Sequence, residues 1–328
     1  MDELRYTSTT ARSHSILTRT LICGSLAFDT IMVFRDRFSR HILPEQTHML
    51  SVSFQVADMR REWGGCAGNI GYNLHALGGA AVIMGTLGRD GETYRQRLDD
   101  LGIAQDGVRV VDDLYTAQAF IITDLDDNQI TAFHAGAMNA SDRCSPVDVA
   151  GIGLGIVAPD GKAGMQAHAA DFHARGIPFV FDPGQGLPLF SRDELATLID
   201  QASYLAVNDY EAKLLSERTR LSIGEVAERV DALVVTHGGE GSVIHAGGDT
   251  YLIAPVRPAA LVDPTGCGDA YRAGLLYGIA AGWDWQKTGQ LASLMGSIKI
   301  ASRGGQNHAI DRDIVASRYR EAFGESLW

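Results

Sequence analysis

No segment of this chain stays apolar for the roughly 20 residues that a helix needs to cross a bilayer, and no run of Lys and Arg interrupts a formal net charge of −12. The first absence argues against a membrane partner. The second argues against duplex nucleic acid, whose phosphates demand clustered basic side chains. Cysteine is sparse: Cys23, Cys66, Cys144 and Cys267 are the four, and no two stand in C-x-x-C spacing. Neither a zinc framework nor a disulfide scaffold is expected, and a reducing cytoplasm is the expected compartment. The chain carries no G-x-x-x-x-G-K-[ST] P-loop, no H-E-x-x-H and no G-x-S-x-G, so three common catalytic signatures are missing. The glycines of Gly151-Ile152-Gly153-Leu154-Gly155 precede an apolar strand instead of following one. A dinucleotide fingerprint needs the opposite order, which leaves a Rossmann oxidoreductase without support. No internal repeat or low-complexity segment is found.

What is present is ordinary globular composition, 45% hydrophobic and 21% charged over 328 residues. That length suits one large domain with a minor one. Residues 1–20 are polar, rich in Ser and Thr, and read as a loose tail without the apolar core of a secretory signal. Beyond them, short apolar runs alternate with amphipathic stretches. Strands are expected at 21–23, 81–84, 155–157, 179–181, 204–207 and 233–235. Helices are expected at 67–77, 92–101, 163–175, 192–201, 210–217, 223–230, 270–281 and 286–302. This alternation predicts a doubly wound α/β fold with a mostly parallel sheet covered on both faces. Two hairpins stand apart, one joining Phe120–Thr123 to Ile130–Phe133 across Asp126-Asp127-Asn128, the other within Ser242–Ile253. The first is assigned with the irregular stretch Phe34–Phe54 to a small β lid. The expected division is 21–33, 63–112 and 141–328 for the large domain, and 34–62 and 113–140 for the lid.

The densest chemistry lies at Val262-Asp263-Pro264-Thr265-Gly266-Cys267-Gly268-Asp269. A Gly-x-Gly turn running into an apolar helix aims backbone N–H groups at one point, and the helix start adds partial positive charge. An anion is expected there. Asp269 is either a dipole-complementing acid or a general base beside N–H donors from Gly266, Cys267 and Gly268. The helix start is expected to lower its pKa, and to lower that of the Cys267 thiol enough to make it alkylation-sensitive. At Glu62-Trp63-Gly64-Gly65-Cys66-Ala67-Gly68-Asn69, the glycines serve either close packing or the approach of a ligand to bare backbone. Asp29, past Gly24-Ser25, reads by itself as a turn former. Asn208-Asp209-Tyr210-Glu211 reads equally as a helix cap. Thr236-His237-Gly238-Gly239-Glu240-Gly241 is a Gly-rich turn after a strand, with His237 read as structural.

In their order along the chain, these segments resemble the ribokinase (PfkB-type) carbohydrate kinases. The first matches the family's D-x-T-G-A-G-D-x-F signature, with Cys267 replacing Ala and Tyr271 replacing Phe. Gly64, Gly65 and Asn69 match G-G-x-x-x-N, Asn208 and Glu211 match N-x-x-E, and residues 236–241 match the T-x-G-x-x-G nucleotide loop. The resemblance implies a ribokinase-like fold and an ATP-dependent phosphotransferase. It implies substrate binding by Ser25, Asp29, Gly64, Gly65 and Asn69, with Asp269 as base. It implies ATP near Asn208, Glu211, Thr236, Gly238 and Gly241. It also implies Mg²⁺ organised by Glu211 through water, and a monovalent cation, K⁺, held near Asp263 and Thr265. In some relatives the lid sheet pairs subunits, so monomer and homodimer both stay open.

The segments Gln129–Met138 and Phe181-Asp182-Pro183-Gly184-Gln185 are similar to those of adenosine and nucleoside kinases within the family. Phe133 is then expected to stack on the base, or else to be hairpin core, and Gln185 to bond the base edge. Ala119 and Gly186 stand where some adenosine-specific relatives carry a second aromatic and a second Gln. A broad ribonucleoside 5′-kinase that includes adenosine is therefore expected, with a ribokinase- or fructokinase-type sugar kinase as the alternative. A non-catalytic sensor on this fold is disfavoured because the whole catalytic set is retained.

Overall fold

The computed structural model describes residues 18–42, 51–126 and 128–328. Of the expected tail, residues 1–17 lie outside that range, as do residues 43–50 of the lid segment and Asp127 of the hairpin turn. The strands are β1 (Arg19–Cys23), β2 (Ala27–Val33), β3 (Asp58–Gly64), β4 (Ala81–Gly88), β5 (Ala104–Val111), β6 (Ala117–Thr123), β7 (Gln129–His134), β8 (Ile152–Val157), β9 (Phe179–Phe181), β10 (Tyr204–Asn208), β11 (Ala232–Thr236), β12 (Ser242–Ala246) and β13 (Asp249–Ile253). The helices are α1 (Cys66–Ala76), α2 (Glu92–Leu101), α3 (Lys162–Ala174), α4 (Arg192–Gln201), α5 (Asp209–Thr219), α6 (Ile223–Ala227), α7 (Cys267–Ala280), α8 (Trp285–Lys299) and α9 (Arg312–Phe323).

Nine strands form one sheet in the order β13-β12-β11-β10-β9-β8-β1-β4-β5. It is parallel from β5 through β11, and the β12–β13 hairpin adds an antiparallel edge. Alternation along the strands explains its two-sided cover. On β1, Leu21 and Cys23 pack into one core cluster while Ile22 packs into the other. On β4, Val82 and Met84 face the first side and Ile83 the second. Each fully buried side chain of this size contributes about 1.5–3 kcal/mol, which is why near-continuous apolar runs mark these strands. The strand order reverses at β1, between β4 and β8. The carboxyl ends at that point are where an open α/β sheet collects ligands.

A separate four-stranded sheet has the order β3-β2-β6-β7. It begins earlier than residue 34, because Ala27–Val33 pairs with both β3 and β6. Those seven residues alternate too weakly in hydrophobicity to mark a strand. Strand β5 and helix α9 also escaped the sequence reading: β5 is only partly buried, and α9 buries just Val315 and Tyr319. Among the described residues no helix is long and apolar enough to cross a membrane.

Candidate active site

Helix α7 starts where a left-handed residue is required. Gly266 has φ 76° and ψ 5°, a conformation that costs a Cβ-bearing residue but not glycine. The preceding turn is braced by Thr265 N–H donating to Asp263 Oδ1 at 2.9 Å. Cys267 N–H donates to Pro264 O at 3.1 Å. The Cys267 N–H thus closes the turn here, although it was expected among the anion donors.

Asp269, in the first turn of α7, is half-buried and accepts a 2.8 Å hydrogen bond from Asn69 Nδ2 on α1. Burial pushes its carboxyl up to about 6, aided by nearby Asp182 and opposed by the Asn69 bond and Arg272. This overturns the expectation of a lowered pKa, since desolvation exceeds the helix-start effect. It also makes Asp269 a better base. The Cys267 thiol departs from expectation for the same reason. Burial raises it to about 11 against the pull of Lys299, so little reactive thiolate exists at neutral pH.

Asn69 is held by residues that the sequence reading missed. Gln306 Nε2 donates to Asn69 Oδ1 at 3.2 Å and to Tyr94 Oη at 2.9 Å. Tyr94 in turn donates to Gly64 O at 2.7 Å. The doublet Gly304-Gly305 just before Gln306 was the available signal. Gly64 serves close approach: a Cβ there would lie 2.6 Å from Asp29 Oδ2. Ser25 turns inward, its hydroxyl accepting from Cys66 N–H at 3.0 Å, and so it braces the start of α1. Gln185 is exposed, and burial pushes the Cys66 thiol well up.

Asp29 sits on β2. Strand register places Glu62, Asp29, Ala119 and Phe133 side by side in one row across the small sheet, so all four share a face. Burial, then Glu62 and Asp263, push the Asp29 carboxyl up to about 6. Phe133 lies two strands away, roughly 10 Å at the usual strand spacing, and is 56% exposed. The small Ala119 between them is itself buried.

Thr236, Gly238 and Gly241 line a cleft of about 540 Å³ together with Cys267, Gly268 and Tyr271. Its walls include Pro255, Val256, Leu261 and Ile300, which no motif had flagged. Asn208 and Glu211 lie outside this lining and form a reciprocal helix cap: Asn208 N–H donates to Glu211 Oε2 at 2.8 Å, and Glu211 N–H to Asn208 Oδ1 at 2.7 Å. Behind α7, Arg272 forks onto Asp182 through two 3.1 Å bonds, both residues buried. Burial first, and then the charge of Asp182, raise Glu211.

The order of these parts and their convergence on the start of α7 have counterparts among known proteins. Residues 26–312 match the family model described as pfkB family carbohydrate kinase. The chain belongs to the PfkB family. The structure superposes with a TM-score of 0.84 on the nucleoside kinase of Burkholderia thailandensis in complex with inosine, at 51% identity, covering 94% of this chain and 99% of that one. The same protein has been solved in complex with ADP-inosine. A nucleoside kinase of Methanocaldococcus jannaschii is 30% identical over 274 residues, 82% of this chain and 89% of that one. Ribokinase of Bacillus subtilis is 27% identical over 278 residues, with 81% and 89% covered. This PfkB member has the large mixed sheet and small separate sheet of the ribokinase-like fold.

Proposed function

We propose that this PfkB kinase transfers the γ-phosphoryl group of ATP to the 5′-hydroxyl of ribonucleosides, adenosine among several. The observation that carries the reading is the partly buried Asn69–Asp269 contact at the start of α7, set between the nucleotide cleft and the row that joins Asp29 to Phe133. Similarity to nucleoside kinases of two genera supports it.

In this reading the small sheet is a lid. Asp29 accepts bonds from the two ribose hydroxyls, and Asn69 holds the sugar against Gly64 and Gly65. Phe133 stacks on the base, with Gln185 at its edge. The 5′-hydroxyl gives its proton to Asp269 as its oxygen bonds to the γ-phosphorus. The bond from that phosphorus to the bridging oxygen breaks, and ADP leaves. Backbone N–H groups of Gly266 and Gly268 stabilise the charge on the moving group. Asn69 holds one oxygen of Asp269, so the carboxylate stays aimed at the acceptor. Lid closure excludes water as a competing acceptor.

Among the described residues no group of three His, Cys, Asp or Glu is gathered to hold a metal. Mg²⁺ suits such a sparse site, because it keeps waters and takes phosphate oxygens. Glu211, raised by burial and by a second acid, fits the role of water-mediated ligand, and the bound ion would offset phosphate charge. The apolar walls Val256, Leu261 and Ile300 suit the adenine of ATP. The test is an ATP-consumption screen over nucleosides and free sugars. Several nucleosides, adenosine and inosine included, should outperform every sugar. Ribose or fructose above all nucleosides would move the assignment to a sugar kinase.

A further inference from the structure

Lys299 is the last residue of α8 and has no exposed surface. Its ammonium donates to the carbonyl oxygen of Asp263 at 2.8 Å and to that of Ser302 at 3.0 Å. The same two loops meet twice more. Gly304 N–H donates to Asp263 Oδ2 at 2.8 Å, and the N–H groups of Val262 and Asp263 both donate to Ile300 O at 2.9 and 3.1 Å. One loop runs into the Gly266 turn. The other carries Gly305 and Gln306 against Asn69. Fixing them together fixes the phosphate turn relative to the sugar-holding amide.

The family resemblance implies a monovalent cation at Asp263 and Thr265. The donor set here does not fit one. The Asp263 carbonyl is taken by an ammonium, and both its carboxylate oxygens accept backbone N–H groups, from Thr265 and Gly304. A second cation would face the Lys299 charge at contact range, where like charges repel. We infer that Lys299 is a built-in cation that replaces the exchangeable ion, so that the phosphate turn is set without K⁺. A charge carried by the chain and bonded to two carbonyls supplies the same stapling without needing to bind. Lys299 is thus a positioning residue. The inference rests on reading 263–269 as the phosphate site.

The test uses the full chain in tetramethylammonium buffer with Mg·ATP and inosine, replacing tetramethylammonium chloride stepwise by KCl at constant ionic strength. Turnover should change by less than about twofold, and Tm should be the same in both salts, because an ion that does not bind the folded state cannot stabilise it. Saturable activation above about fivefold, or a Tm that rises with K⁺, overturns the inference. In Lys299→Ala, kcat should fall about tenfold or more while the KM for nucleoside changes little. Ammonium or K⁺ should then restore part of the loss, and wild-type turnover of this variant in tetramethylammonium overturns the inference. If the variant does not fold, the two wild-type arms still decide. A protein that phosphorylates no nucleoside in any salt refutes the functional reading instead, and the Tm arm then judges the inference alone.

Discussion

The two ends of the proposed acceptor site are built very differently. Around Asp269 a chain of polar contacts ties the site to the body of the protein: Asn69 to Gln306, Gln306 to Tyr94, Arg272 to Asp182, Lys299 to two carbonyls. Around Phe133 the opposite holds, since all six residues of β7 are exposed and the strand lies at the edge of its sheet. Phosphoryl transfer depends on placement to fractions of an ångström, so the reacting end must be pre-built. Base recognition through a single aromatic face needs no such precision, because every base offers a π-face. In the proposed reading, the contrast lets one site combine a demanding reaction with tolerance of several bases.

The largest effect belongs at the rigid end. Asp269→Asn keeps an acceptor for Asn69 Nδ2 but removes the base. Turnover should fall by ~10²–10⁴, roughly 3–5 kcal/mol of barrier, while calorimetry should find nucleoside affinity nearly unchanged. Near-wild-type turnover would place the base elsewhere and erase the contrast.

Asp29→Asn comes next. Losing charge-assisted bonds to two hydroxyls should cost about 1.5–3 kcal/mol, which is roughly 10–150-fold in kcat/KM. This variant should also move stability in a pH-dependent way. The folded pKa of Asp29 is raised from 3.8 to about 6. Its favourable contribution is therefore complete below the unfolded value and is lost as pH rises through about 6. Thermal melts should show Asp29→Asn gaining on wild type at pH 8 relative to pH 4.5. A gain confined to acid pH would contradict the burial argument.

A third effect joins the two carboxylates. Both Asp269 and Asp29 are raised to about 6, and the proposed mechanism needs both ionised. The pH profile of kcat/KM should fall on the acid side near pH 6 instead of pH 4. The limb belongs to both groups together. Activity unchanged down to pH 4.5 would mean that neither is desolvated in solution.

Legibility in the sequence followed the same divide. The large sheet was readable because its strands are apolar on both faces, as Leu21-Ile22-Cys23 and Ala81-Val82-Ile83-Met84 are. Motif residues such as Gly266, Asp269 and Asn69 were readable because a turn and a helix start need particular residue types at fixed spacing. Strand β2 was not, since Asp29 and Thr30 break its apolar pattern. Tyr94, Gln306 and Lys299 were silent because each acts through a partner more than 30 residues away or through a backbone carbonyl, and neither leaves a local pattern. The pKa reversal at Asp269 and Cys267 was unreadable for the same reason, burial being a property of the fold.

The smallest effect tests the loose end. Phe133→Ala removes one stacking face, and an aromatic pair is worth about 0.5–1.5 kcal/mol beyond area. The KM for each nucleoside should rise about 2- to 13-fold, and kcat should hold because no group near Asp269 moves. The rise should be similar for adenosine and inosine, since stacking does not read the base edge. Ala119→Phe, in register with Phe133 one strand away, puts a second ring between Asp29 and Phe133. It should favour some bases over others and so narrow the substrate range. If Phe133→Ala instead lowers kcat alone, the exposed strand is coupled to the chemistry, and the two ends of the site are not independent.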